Sequence, residues 1–152
     1  MLPKIKPPFF ELGPKNYVYD GTVEELAYTV LEAADKYDIR AIYSVPFVNV
    51  ERIADIFKAS KNTYVFAPYM DDVRIGNGVG TELPERLKAS GVQGVYINHS
   101  AKPQSIGAMC RLKKRAGELG IYTMACAGSM TEIKAMVFEM FEAVRRAWDD
   151  RH

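Results

Sequence analysis

His99, Asn98 and Lys15 are the residues in this chain whose types and settings could do chemistry. His99 lies in Gly94-Val95-Tyr96-Ile97-Asn98-His99-Ser100-Ala101-Lys102-Pro103, a short apolar run that ends in Asn-His-Ser. Helix-forming sequence follows within a few residues. The pattern puts an imidazole at the carboxyl end of a buried strand, near the amino end of the next helix. In parallel α/β folds ligands bind at that edge. The chain holds two histidines, and the other, His152, is its last residue and is expected to be frayed. Acid–base chemistry near neutral pH therefore points to His99. Taken by itself, the decapeptide also describes a structural histidine hydrogen-bonded at a strand end. Asn98 reads either as a residue that holds the site or as a strand-terminating turn residue. Lys15 stands in the turn Gly13-Pro14-Lys15-Asn16-Tyr17, where a lysine alone is usually solvated.

Positioning these residues takes a repeated unit. Phe9–Leu12 reads as a strand. Thr22 with Glu25 reads as a capping box. Val23, Leu26, Ala27, Val30, Leu31 and Ala34 mark one face of a helix running to about Tyr37. Ala41–Val45 is the second strand, and Asn49 can cap a helix carrying Ile53, Ile56 and Phe57. Thr63–Ala67 is the third strand. It opens into a loop from Pro68 to Gly80 with glycines at 76, 78 and 80. A short helix from Pro84 to Ala89 ends at Gly91. The Gly94 run is the fourth strand, and its helix covers about Gln104 to Glu118, stopped by Gly120. Ile121–Ala127 is the fifth strand. Ser129 with Glu132 reads as a second capping box. Behind it Ile133, Met136, Val137, Met140, Phe141, Val144 and Trp148 trace an apolar helical stripe.

Five strand–helix pairs at this spacing mean a parallel sheet with helical crossovers in a single α/β domain over residues 1–152. Its near-continuous apolar strands suit a sheet covered on both faces. Periodicity leaves two closures open: an open, doubly wound, flavodoxin-like sheet of five strands, or part of an eight-stranded barrel.

Bulk composition narrows the partners. With 20 basic and 19 acidic residues the net charge is +1, which gives no electrostatic case for nucleic acid or an anionic membrane. A hydrophobic share of 48% fits a folded globule. No run approaches a membrane span, and the amino terminus lacks the apolar stretch of a signal peptide. Cys110 and Cys126 lack metal-ligand spacing and read as buried small residues in a reducing cytoplasm.

The strand ends separate the two closures by resemblance. Gly13-Pro14-Lys15 follows the first strand, Gly76-Asn77-Gly78-Val79-Gly80 lies in the third loop, Leu83-Pro84-Glu85 follows that, Asn98-His99-Ser100 ends the fourth strand, and Cys126-Ala127-Gly128-Ser129 with Glu132 follows the fifth. In that order and spacing the chain resembles the triosephosphate isomerase family. It looks closest to a divergent prokaryotic branch that includes erythrulose-phosphate isomerases. Lys6-Pro7-Pro8-Phe9-Phe10-Glu11-Leu12-Gly13-Pro14-Lys15 is the most specific piece, and the likeness runs from about Lys6 to Lys134.

The resemblance implies a partial (β/α)8 barrel of five parallel strand–helix units, truncated relative to the full barrel. It implies an aldose–ketose isomerase working through an enediol on a small sugar phosphate, without metal or organic cofactor. Lys15 matches the lysine that holds substrate and stabilises negative charge. His99 matches the neutral histidine that polarises the substrate carbonyl, and a helix amino terminus would help keep it neutral. Asn98 would support the site. The Gly76–Gly80 loop matches one that reaches a neighbouring subunit, which implies a homodimer, and exposed strand edges would also favour association. Two departures stand out. Ala101 occupies a position where the family carries a glutamate that positions the lysine. The family's glutamate base, mobile lid and phosphate-binding loops fall beyond the five units present. Glu132 is assigned to the capping box.

Overall fold

The computed structural model describes residues 4–15, 18–76 and 78–149. Residues 1–3, Asn16, Tyr17, Asn77 and the tail from Asp150 through His152 lie outside the described residues, as do the side chains of Met140, Ala143, Val144, Arg146, Ala147, Trp148 and Asp149.

Among the described residues there are five strands: β1 Phe9–Leu12, β2 Arg40–Ser44, β3 Thr63–Ala67, β4 Gly94–Ile97 and β5 Tyr122–Ala125. Five α-helices of the described residues alternate with them: α1 Thr22–Tyr37, α2 Val50–Phe57, α3 Pro84–Ala89, α4 Ile106–Leu119 and α5 Met130–Asp149, with a 3-10 turn at Phe47–Asn49 before α2. All neighbouring strands pair in parallel, in the spatial order β1-β2-β3-β4-β5. Spatial order therefore equals chain order. A doubly wound sheet reverses direction beside its first strand. This sheet does not, so the flavodoxin-like alternative is excluded and the fold is a curled part of a barrel. The curl shows directly: Tyr96 of β4 donates its hydroxyl proton to Glu11 of β1, although two strands separate them.

Strand alternation sorts the side chains. Ala41, Tyr43, Val45, Val65, Ala67, Val95 and Ile97 point outward. They pack with Val23, Ala27, Val30, Ala34, Ile53, Phe57, Met109, Leu112 and Ala116 of the helices, and this layer is the main core. Ile53 is fully buried, worth about 1.5–3 kcal/mol relative to exposure. Tyr43 belongs there because its hydroxyl donates to the Val23 carbonyl at 3.1 Å.

The register puts Glu11, Ile42, Ser44, Tyr64, Phe66, Gly94, Tyr96, Tyr122 and Met124 on the opposite, concave face. Phe66 is 2% exposed because its ring lies over Gly94: a Cβ there would sit 2.1 Å from the ring. Coverage of both faces holds for the middle strands only. On β1 at the edge, Phe9 and Phe10 are 54% and 58% exposed.

Several local expectations are corrected. Thr22 forms no capping box with Glu25. The helix begins at Thr22, and Asp20 accepts from the Thr22 amide (3.0 Å) and hydroxyl (2.7 Å). Asn49 stands at the start of α2 but its side chain makes no capping bond, and its Nδ2 donates to Glu24 at 3.3 Å. The α5 stripe does not pack as a stripe: Met136 is buried, whereas Ile133, Val137 and Phe141 are exposed. Cys110 and Cys126 are half-buried, since α4 and the end of β5 are only partly covered. Gly120 ends α4 as expected, with φ of 67° and its amide on the carbonyls of Ala116 and Gly117.

Candidate active site

Parallel strands bring the segments after β1, β4 and β5 to one edge. The exit of β4 is built most tightly. Asn98 is 6% exposed and has φ of 58°, a left-handed conformation that asparagine tolerates better than most residues. Its backbone amide and both side-chain polar atoms are engaged. Its backbone amide donates to Gln104 Oε1 at 2.8 Å, and the Gln104 amide donates back to Asn98 Oδ1 at 2.8 Å. Asn98 Nδ2 reaches the Cys126 carbonyl at 3.0 Å and also the Glu132 carboxylate.

Glu132 therefore does more than cap. Its amide does take Ser129 Oγ at 3.1 Å, half of the expected box. Its carboxylate, however, accepts from the Gly128 amide at 2.6 Å and from Asn98, and not from Ser129. The Gly128 N–H first, then the Asn98 amide, hold this carboxyl below its ordinary value. The sequence signal was its position one helical turn after a glycine turn at a strand end.

His99 follows Asn98 and is half-buried. The Ala101 amide donates to His99 Nδ1 at 3.1 Å, and the Lys102 amide donates to the His99 carbonyl at 2.8 Å. A donor aimed at Nδ1 requires a lone pair there, so the neutral ring carries its proton on Nε2. Helix α4 starts only at Ile106, capped by Ser105 Oγ on the Ala108 amide at 3.3 Å. The expected help from a helix start is thus replaced by one turn amide beside the ring. Ala101, exposed, contributes through its backbone.

Lys15 is exposed after β1, and its carbonyl accepts from the Val18 amide at 3.0 Å. Its ammonium makes no ion pair among the described residues. The structure puts Lys15 and His99 on the same edge, with Asn98 immediately before the histidine.

Two groups were missed in the sequence. Lys102 pairs with Asp71 at 2.9 Å and lies over the Tyr69 ring, 3.2 Å from its centroid. Asp71 also accepts from the Glu82 amide at 2.9 Å, and Asp72 pairs with Arg111 at 2.6 Å. These contacts pin the base of the Pro68–Gly80 loop and leave Ile75 and Val79 at its tip exposed. The second group is Glu11, Ser44 and Tyr96 on the concave face. Burial, helped by Glu11, also pushes the Cys126 thiol up.

A singly wound parallel sheet with its polar side chains at the carboxyl edge defines a barrel-type α/β protein. The sequence model of the family "Triosephosphate isomerase" matches residues 14–149. The triosephosphate isomerase of Sulfurisphaera tokodaii is 27% identical over 127 residues, which cover 82% of this chain and 54% of that protein. That of Cenarchaeum symbiosum is 30% identical over 127 residues, covering 82% and 55%. The crystal structure of triosephosphate isomerase from Bartonella henselae matches with a TM-score of 0.68 at 21% identity, covering 84% of this chain and 54% of that one. The chain belongs to the triosephosphate isomerase family and spans about half the length of the curated relatives it matches.

Proposed function

We propose that the chain carries the lysine and histidine of an aldose–ketose isomerase site of the triosephosphate isomerase type. The substrate would be a small sugar phosphate, glyceraldehyde 3-phosphate or dihydroxyacetone phosphate, and the path an enediol. The observation that carries this reading is the Ala101 amide on His99 Nδ1. It leaves an Nε2–H donor at the strand edge, fixed before the substrate arrives, as polarising a carbonyl requires. Lys15 supplies an exposed cation on that edge for the phosphate and the developing oxyanion. Removal of the carbon-bound proton needs a base within hydrogen-bond reach, and that base lies outside the Lys15–His99 pair. Asn98 is a positioning residue in this scheme. The chemistry calls for neither metal nor organic cofactor. Among the described residues no helix is long and apolar enough to cross a membrane; the cytoplasm is the compartment the isomerase reading calls for. Its partner would be a second copy, reached through the Gly76–Gly80 loop and the open edges at β1 and β5.

A second reading has an observation of its own. Lys15 makes no ion pair among the described residues, and Ala101 offers no carboxylate to hold it. A binding or assembly module without turnover would carry such a lysine. A coupled assay interconverting glyceraldehyde 3-phosphate and dihydroxyacetone phosphate separates the two. Turnover that collapses in His99→Gln supports the isomerase. Saturable binding of sugar phosphate with no turnover supports the module.

A further inference from the structure

We propose that Glu11 is a positioning residue for His99, acting through Tyr96. This deepens the isomerase reading and rests on it for its catalytic meaning. Four strands converge on the pair. Glu11 comes from β1, Ser44 from β2, Phe66 from β3 and Tyr96 from β4. The Tyr96 hydroxyl donates to Glu11 Oε1, and the Ser44 hydroxyl interacts with the same phenol. The Tyr96 ring meets the Phe66 ring edge-on, with centroids 6.3 Å apart, and the His99 ring on its other contact, again at 6.3 Å. Tyr96 is therefore fixed at its hydroxyl and beside its ring, and it forms a wall that His99 rests against.

Gly13 completes the arrangement. A Cβ there would lie 3.1 Å from Glu11 Oε1 and 3.5 Å from the Tyr96 hydroxyl. The backbone leading to Lys15 thus passes directly against the carboxylate. Glu11 lies beside both functional segments: the Gly13–Lys15 turn by direct approach and His99 through one ring. Burial first, then the hydrogen bond to Glu11, push the Tyr96 phenol far above its ordinary range, so it stays a donor across the working pH range. Among the described residues Glu11 is the carboxylate on the concave face of the strands. Glu132, by contrast, is engaged with Gly128 and Asn98. The Glu11 carboxylate is linked to His99 through one aromatic ring, so removing its charge changes the field that reaches the imidazole.

The test is the pH titration of the His99 ring by proton–nitrogen NMR on the whole chain, with His152 as the internal reference. Lys15, Lys102, Cys126 and Glu132 also converge on this edge, and none of them changes in the variants. Glu11→Gln keeps a hydrogen-bond acceptor for Tyr96 and removes the charge. It is expected to lower the His99 midpoint by on the order of half a pH unit. Glu11→Asp should recover part of that shift. Tyr96→Phe keeps the ring and frees the carboxylate to turn to water, so it should lower the midpoint in the same direction. If Glu11→Gln does not fold, Tyr96→Phe decides. A midpoint unchanged within about 0.1 unit in the folded variants overturns the coupling. Turnover is scored separately: a wild type without turnover counts against the isomerase reading, whereas an unmoved midpoint counts against Glu11 whatever the turnover.

Discussion

Asn98 Nδ2 and the Cys126 carbonyl stand 3.0 Å apart, so one amide ties the exit of β4 to the exit of β5. The same side chain accepts from Gln104 and reaches Glu132. Removing it leaves several partners short of hydrogen bonds in a buried place. Asn98→Ala is expected to cost about 2–3 kcal/mol, combining unsatisfied polar groups with an alanine forced into a left-handed conformation. Asn98→Gly relieves the backbone and should recover only part of this. Urea unfolding of the three proteins checks the order. Equal midpoints would show that the network is decorative.

Gly94 lets the Phe66 ring lie across β4. Phe66 is 2% exposed and has nowhere to retreat. Gly94→Ala should destabilise by about 2 kcal/mol through overpacking. Phe66→Leu in the same chain should recover part of the loss. A double-mutant cycle in denaturant measures the coupling, and simple additivity would contradict the contact.

Glu132 sets a pH dependence whose sign follows from its environment. Its folded-state value is lowered by the Gly128 amide and by Asn98. Its contribution is therefore present above the unfolded-state value and is lost as pH falls through the folded one. Glu132→Gln should lose less stability than wild type between about pH 6 and pH 3. Parallel stability profiles for the two proteins would contradict the assignment.

Tyr43 behaves in the opposite sense. Burial first, then Glu24, push its phenol up to about 12. The neutral form is favoured on folding, so this contribution holds below the ordinary tyrosine value and is lost as pH rises through 12. Absorbance at alkaline pH should show part of the tyrosine signal arriving only in a cooperative step with unfolding. Tyr43→Phe should reduce that step, and a smooth single titration would count against it.

Lys102 holds the base of the third loop through Asp71 and Tyr69. Lys102→Met or Asp71→Asn should leave the fold intact and speed tryptic cleavage after the exposed Arg74 several-fold. Cleavage at the wild-type rate would mean that the Asp72–Arg111 pair alone holds the loop.

Much of this was legible in the sequence. The α1 stripe, the Gly120 stop and the strand–helix alternation follow from local chemistry, and the resemblance at the strand ends chose the closure that the strand order then confirmed. What was hidden depends on the curl. Glu11 lies in a four-residue strand, Phe9-Phe10-Glu11-Leu12, where a single charge reads as an edge residue. Only the meeting of β1 and β4 across the concave face reveals its partner. Glu132 matched a capping box well enough to conceal its bond to Asn98, which comes from 34 residues earlier. The Thr22 box gave way to Asp20, which takes the Thr22 amide and hydroxyl, and the Asn49 side chain is turned with its Nδ2 on Glu24. The α5 stripe failed because periodicity reports an apolar face and says nothing of what lies opposite.

The central claim is that His99 and Lys15 act together on a sugar phosphate. Proton exchange tests it most directly. Dihydroxyacetone phosphate is incubated with the protein in deuterium oxide, and loss of the carbon-bound proton signal is followed by NMR. The account predicts exchange in wild type, reduced roughly hundredfold in His99→Gln and at least as far in Lys15→Met. Exchange that persists unchanged in both variants, or that is absent from the wild type, would contradict it.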